Sequence, residues 1–292
     1  MRVSAKRIAK GLYWDRAWSL VEGCSPVSAG CDHCWAARQA HMRASNPNEG
    51  IRAANAGLAT AEGWIPGVVR ERWDKLEEPL LNSTPTVYAI WTDLFHEAVK
   101  DDFIKAAWGT MNLCPQHLFL ILTKRADRMF SVVTSIYGSA MAKPQPNIWL
   151  GVTAETGKRF HERGWKLINT PAAIRFLSLE PLMAYVTVSD YDICKCGDWR
   201  HNHDSDGRCL VCRDSHSQPF PPCKKYALSH PYFDWVIMGA EKGPGARPMD
   251  LDWARKVRDD CAAAGVPLFY KGDGKSMELD GELIQQFPEL KR

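Results

Sequence analysis

The stretch LFLILTKRADRMFSVVTSIY, residues 118–137, decides how the rest of the chain is read. Its first five residues are continuously apolar and end at Thr123, the pattern of a strand buried on both faces of a sheet. Residues 124–137 then read as a helix. The same unit recurs outward in both directions: TVYAIW (86–91), NIWLGVT (147–153), IRFLSLE (174–180), DWVIMG (234–239) and PLFYK (267–271) are short and nearly all apolar. Further helices are predicted over 101–111 and 252–265, the second with Ala254, Val257, Cys261 and Ala262 at helical spacing and Gly265 as its stop. Alternating strand and helix argues for an α/β fold, either a barrel or an open doubly wound sheet.

The polar residues that close each strand favour a barrel. Thr92 and Asp93, Thr123 and Lys124, Thr153 and Glu155, Ser178 and Glu180, Glu241, and Lys271 all fall at or just past carboxyl ends. In an α/β barrel those ends form one rim where ligands sit. Any single polar residue there is equally explained by a solvated loop, so the recurrence carries the inference.

The chain has 292 residues, 45% hydrophobic and 24% charged, enough for one large domain or two ordinary ones. Twelve Trp, ten Phe and eight Tyr exclude disorder as the main state. No apolar run approaches the roughly 18 residues of a membrane span, so a soluble protein without a membrane partner is expected. The basic start MRVSAKRIAKGLYW lacks an apolar stretch of signal-peptide length, so a cytoplasmic location is expected. A net charge of +3 neither demands nor excludes a nucleic-acid partner.

The ten cysteines are unevenly placed. In a reducing compartment they read as metal ligands or core residues rather than disulfides. Cys24, Cys31 and Cys34 form a C-x6-C-x2-C loop, followed at once by a helix-forming stretch. Three thiolates are one short of a structural zinc site. They suit a 4Fe–4S cluster with one open iron, able to bind S-adenosylmethionine and pass it an electron. A zinc site completed by His41, or three unligated core cysteines, are the alternatives. A second segment, CKCGDWRHNHDSDGRCLVC, offers Cys194, Cys196, His203, Cys209 and Cys212, from which four zinc ligands are expected, with His201, His216 and Cys223 as substitutes. A second iron–sulfur cluster is its rival. Too polar to build a core, residues 190–232 read as an inserted module dividing the barrel into 1–189 and 233–292.

With these residues in view, the chain resembles a phage-associated family with a three-cysteine motif, a domain of unknown function placed in the radical S-adenosylmethionine superfamily. The resemblance rests on GCSPVSAGCDHCWA, WTDLFHEAV, LILTKRADRM, NIWLGVTAE, IRFLSLEPLM, DWVIMGAEKGPGARPM and GVPLFYK, in family order over residues 12–272. It implies a partial (β/α) barrel, a 4Fe–4S cluster on Cys24, Cys31 and Cys34, and S-adenosylmethionine across the strand ends. An electron donor such as flavodoxin or ferredoxin is implied as a partner. The chain departs from the common superfamily motif in its six-residue first gap, and His33 stands where an aromatic often precedes the last cysteine. A family block usually Gly-Gly-Glu-Ser-Gly is Gly239-Ala240-Glu241-Lys242-Gly243, and a usual Lys-Gln-Trp-Gly is Lys271-Gly272-Asp273-Gly274.

On the rim, Thr92 and Asp93 are expected to hold the methionyl ammonium. Gly239, Gly243 and Gly245 flank Glu241, itself a cofactor-binding candidate, and would permit close backbone approach to the methionyl carboxylate or a phosphate, while Arg247 could bind either anion. Glu155 and Glu180 would take ribose hydroxyls or substrate, or else form salt bridges with Lys124, Arg125 or Arg175. Lys124 and Lys271 are the cations expected to meet substrate. Residues 42–69 with Trp64, and the insertion with Trp199, are candidate cover. The family's genomic setting points to a nucleotide or DNA substrate, most specifically isomerisation of a thymine bearing a glycyl-type adduct. Two other function classes are open: a zinc-containing nucleic-acid-binding protein gripping phosphates through LTKRADR and KRIAK, and a barrel hydrolase using Glu155 and Glu180.

Overall fold

The computed structural model describes residues 3–138, 143–188 and 232–289. Seven strands pair in strict chain order: β1 (Arg16–Trp18), β2 (Val87–Ile90), β3 (Leu118–Thr123), β4 (Ile148–Thr153), β5 (Ile174–Leu179), β6 (Trp235–Met238) and β7 (Leu268–Tyr270). Every neighbouring pair is parallel. A doubly wound sheet reverses its strand order at a switch point. This order never reverses, and β1 and β7 are the two edges of the sheet. The architecture is therefore a mixed α/β, seven-stranded parallel half-barrel.

All six sequence-predicted strands are present. Helices α1 (Trp35–Arg43), α2 (Asp101–Leu113), α3 (Ala126–Tyr137), α4 (Gly157–Asn169) and α5 (Leu251–Ala264) include each predicted one. α5 starts where the Asp250 side chain accepts from Asp252 N–H, and it stops at Gly265, whose φ of +65° suits a residue without Cβ. The sequence reading did not anticipate α4. Its stretch is mostly polar, and it buries only a narrow stripe, Phe160, Arg163, Gly164 and Leu167.

Although the strands read as continuously apolar, period-two alternation sorts their side chains into two cores. One face, with Phe119, Ile121, Leu150, Leu177 and Val236, packs under the helices. The other, concave face carries Leu118, Leu120, Trp149, Phe176, Trp235 and Phe269. Its lower part is filled by rings around Trp235, which meets Tyr13 edge-on at 5.5 Å and Phe287 at 5.3 Å. Such a plug leaves only the carboxyl-end half of the face open.

Gly151 sets the depth of that opening. It pairs directly with Phe176, and a Cβ built on it would clash with the Phe176 ring. Gly151→Ala is expected to cost about 1–3 kcal/mol through overpacking. Shortening the ring with Phe176→Leu should recover part of the loss, as read by urea denaturation. A Gly151→Ala protein as stable as the parent would refute this account of the glycine.

Candidate functional site

A cavity of about 210 Å³ opens above the ring plug at the carboxyl ends of β2, β3 and β4. Ala89, Leu120, Leu122 and Phe176 floor it, and Thr92, Asp93, Thr123, Lys124, Arg125 and Thr153 come from the strand ends. Cys24, Cys31 and Cys34 all line it, so the loop after β1 lies over the rim. The three are free, partly exposed thiols, and Cys34 is close enough for its charge to work against ionisation of Cys24. Tyr13, Trp14, Trp35, Trp64 and Trp91 supply aromatic walls, with Trp35 and Trp91 edge-on at 4.8 Å.

Asp93 and Arg125 form the buried polar centre. Asp93 accepts from Thr123 Oγ1 at 2.7 Å, Phe95 N–H at 3.0 Å and Arg125 Nη1 at 3.0 Å. The remaining Arg125 donors reach Glu97 Oε2 (2.7 Å) and the carbonyl and hydroxyl of Ser25 (3.0 and 2.9 Å), while Nη1 also meets Cys24 Sγ at 3.7 Å. One guanidinium thus ties the cysteine loop to the ends of β2 and β3. Burial and the Asp93 carboxylate push the Cys24 thiol up to about 11, with Arg125 working the other way. Asp93 therefore spends its acceptor capacity on positioning Arg125. Thr92 sits at φ +61°, unusual for a β-branched residue, and donates its hydroxyl to Val21 O at 2.7 Å.

A second clamp holds the other end of the loop. Glu241 accepts from Arg247 Nη2 at 2.6 Å, Nε at 2.9 Å and backbone N–H at 2.8 Å, and its Oε2 pairs with His33 Nδ1 at 3.0 Å. Arg247 also donates to Ala29 O at 2.8 Å and Asp32 Oδ2 at 3.3 Å. Gly243, at φ +104°, makes room for the Arg38 guanidinium from α1, which a Cβ would displace. Arg247, the side chain expected to bind an anion, thus engages Glu241, and the pair fastens the loop to the segment after β6.

Burial opposes ionisation of Glu241, but hydrogen bonds from Arg247 and His33 outweigh it and bring the carboxyl from 4.5 to about 2. A folded-state value below the unfolded one gives stability that is present above about pH 4.5 and lost as pH falls through about 2. Glu241→Gln should therefore melt lower than the parent at neutral pH, and the gap should close between those limits. A gap independent of pH would exclude this linkage.

The two rim glutamates face different partners. Glu155 is 1% exposed and holds Arg163 Nη1 at 2.8 Å through Oε2. Burial opposes its ionisation, yet Ser28, Arg163 and Lys124 hold its carboxyl below the ordinary value. Oε1 lies under Gly30, whose missing Cβ admits the carboxylate, and has no partner of good hydrogen-bond geometry among the described residues. Glu180 pairs with Lys271 Nζ at 2.6 Å, beside Gly239. Neither glutamate lines the cavity. Of LTKRADR, Arg125 is buried and Arg128 pairs with Asp101 at 2.7 Å. Lys124 is left as the cavity's cation, its amine without a hydrogen bond or ion pair to the described residues.

Sequence reasoning missed Ser25, His96, Arg38 and Arg163, because a residue that props another leaves no spacing pattern. It also missed Trp14, Trp35 and Trp91, although Trp91 directly precedes Thr92 and Asp93. Cys194, Cys196, His203, Cys209 and Cys212, with Trp199, lie outside the described residues. Among the described residues, no three His, Cys, Asp or Glu side chains are gathered as ligands of one metal ion. A four-iron cluster asks something different, since each of its thiolates binds a different iron. Cys24, Cys31 and Cys34 line one cavity together. No described helix is long and apolar enough to cross a membrane.

No curated protein and no solved structure matches the chain. One family model does, over residues 9–286, which takes in the cysteine loop and all seven strands. The chain therefore belongs to the family described as protein of unknown function (DUF5131).

Proposed function

We propose that this protein is a radical S-adenosylmethionine enzyme whose Cys24, Cys31 and Cys34 hold a 4Fe–4S cluster. The observation that carries the reading is the meeting of these three thiols with the polar ends of β2, β3 and β4 around one cavity of a parallel half-barrel. Bound there, the cluster and S-adenosylmethionine would supply a 5′-deoxyadenosyl radical. The chain's own residues hold the loop through Arg125 and Glu241, and the tryptophan walls would help shield reactive species from water. Lys124 offers a charge for an anionic group, and the rings offer faces for a planar one.

For the substrate we propose an amino-acid-modified pyrimidine in DNA, isomerised after hydrogen abstraction from its adduct, with flavodoxin or ferredoxin as electron donor. A base in duplex DNA would be flipped out to reach the cavity, at a cost of a few kcal/mol. Zinc bound by four of Cys194, Cys196, His203, Cys209 and Cys212 would order the insertion.

The test is anaerobic reconstitution, then incubation of reduced protein and S-adenosylmethionine with modified DNA, the free nucleoside and a peptide. Iron loading, 5′-deoxyadenosine and deuterium transfer from DNA or nucleoside are expected. Zinc in the three-cysteine loop, or no 5′-deoxyadenosine, would overturn the enzyme reading and return the nucleic-acid-binding alternative. Transfer from the peptide alone would overturn the substrate.

A further inference from the structure

We infer that Arg125, held in place by Ser25, is a hydrogen-bond donor that acts on Cys24 alone among the three cysteines and sets the reduction potential of the group bound there. The inference rests on the proposed cluster site and goes beyond it by assigning residues that tune it.

Arg125 Nη1 is 3.7 Å from Cys24 Sγ, and no such cationic donor is found at Cys31 or Cys34 among the described residues. The guanidinium is rigid, because Asp93, Glu97 and Ser25 hold its other donors and its side chain is only 4% exposed. Ser25 is placed by a second support. His96 Nδ1 accepts from Ala98 N–H at 3.1 Å, so Nε2 carries the ring proton and donates to Ser25 Oγ at 2.8 Å. Arg125 Nη2 donates to the same oxygen. A hydroxyl has two acceptor sites and one proton. With both acceptor sites filled, the Ser25 proton is left for an acceptor in the cavity that Ser25 lines beside Cys24.

A cation and hydrogen bonds directed at a thiolate favour the more negative, reduced state, so they raise the potential of an iron–sulfur group. Removing them lowers it. Arg125 and Ser25 are thus positioning residues acting through Cys24, and the asymmetry places their effect at one iron.

The experiment is a redox titration, followed by absorbance and electron paramagnetic resonance, of anaerobically reconstituted parent, Arg125→Gln, Arg125→Lys and Ser25→Ala. With iron loading equal to the parent, Arg125→Gln is expected to make reduction at least tenfold less favourable, about 59 mV for one electron. Arg125→Lys should restore part of this. Ser25→Ala should shift the potential in the same direction by less. It leaves Asp93 and Glu97 to hold Arg125, so it decides the matter if Arg125→Gln fails to fold. Loaded variants with the parent potential would overturn the inference and leave the cluster standing. A parent protein that takes up no iron–sulfur cluster would overturn both.

Discussion

Changing any one of Cys24, Cys31 and Cys34 to alanine is expected to abolish iron–sulfur loading and 5′-deoxyadenosine formation while leaving the half-barrel folded. Three thiolates and one open iron are the minimum for binding and cleaving the cofactor, so no partial activity should survive. The fold should barely respond. All three thiols are partly exposed and lie outside the two main sheet cores, so Cys24→Ala and Cys31→Ala should cost little, while Cys34→Ala, packed against the small core of Ala37, Ala40, Leu58 and Ala59, should cost about 1 kcal/mol. Cys114 and Cys261 are the controls. Both are buried in the core under the helices, so their alanine variants should lose stability and keep the chemistry. Iron content, product chromatography and thermal melts separate the two patterns. A Cys31→Ala protein that still formed 5′-deoxyadenosine would remove the central claim.

Arg125→Ala is expected to be the most destabilising single change at the rim, by about 3–5 kcal/mol. The pair with Asp93 is buried on both sides, at 4% and 8% side-chain exposure. Removing the guanidinium strands a carboxylate that only Thr123 Oγ1 and backbone N–H groups would then satisfy. It also leaves the Ser25 hydroxyl to His96 alone among the described residues, which loosens the start of the cysteine loop. Asp93→Asn in the Arg125→Ala background should recover part of the loss, because a neutral amide costs less to bury than an unpaired charge. Strict additivity in this double-mutant cycle, measured by urea unfolding, would show that the two side chains do not depend on each other.

Much of this arrangement is legible in the chain itself. Blocks such as LFLILT and NIWLGVT announce their strands because a parallel strand covered on both faces must be apolar throughout. The C-x6-C-x2-C loop is visible because local spacing limits which ligands can meet, and the polar residues after each strand converge because parallel strands share a carboxyl edge. α4 was not legible, since an amphipathic helix packed on the sheet needs few apolar residues, and the buried Phe160 and Leu167 hide in a charged stretch. The first strand, Arg16–Trp18, is only three residues long and leaves too short a pattern to bound.

The sequence by itself therefore determined the alternation of strand and helix, the cysteine loop and the rim composition, all of which depend on neighbours within a few residues. Only the tertiary structure decided that the sheet runs in unreversed order as a half-barrel. It also decided which charged residues remain free. Arg125, Arg247 and Lys271 look as available as Lys124 in the sequence, yet each meets a carboxylate distant in the chain, Asp93 in the first case and Glu180 in the last, or one six residues away, Glu241. The physical reason is that burying a charge near the rim requires a partner, and the partner is chosen by which strand ends lie side by side rather than by sequence spacing.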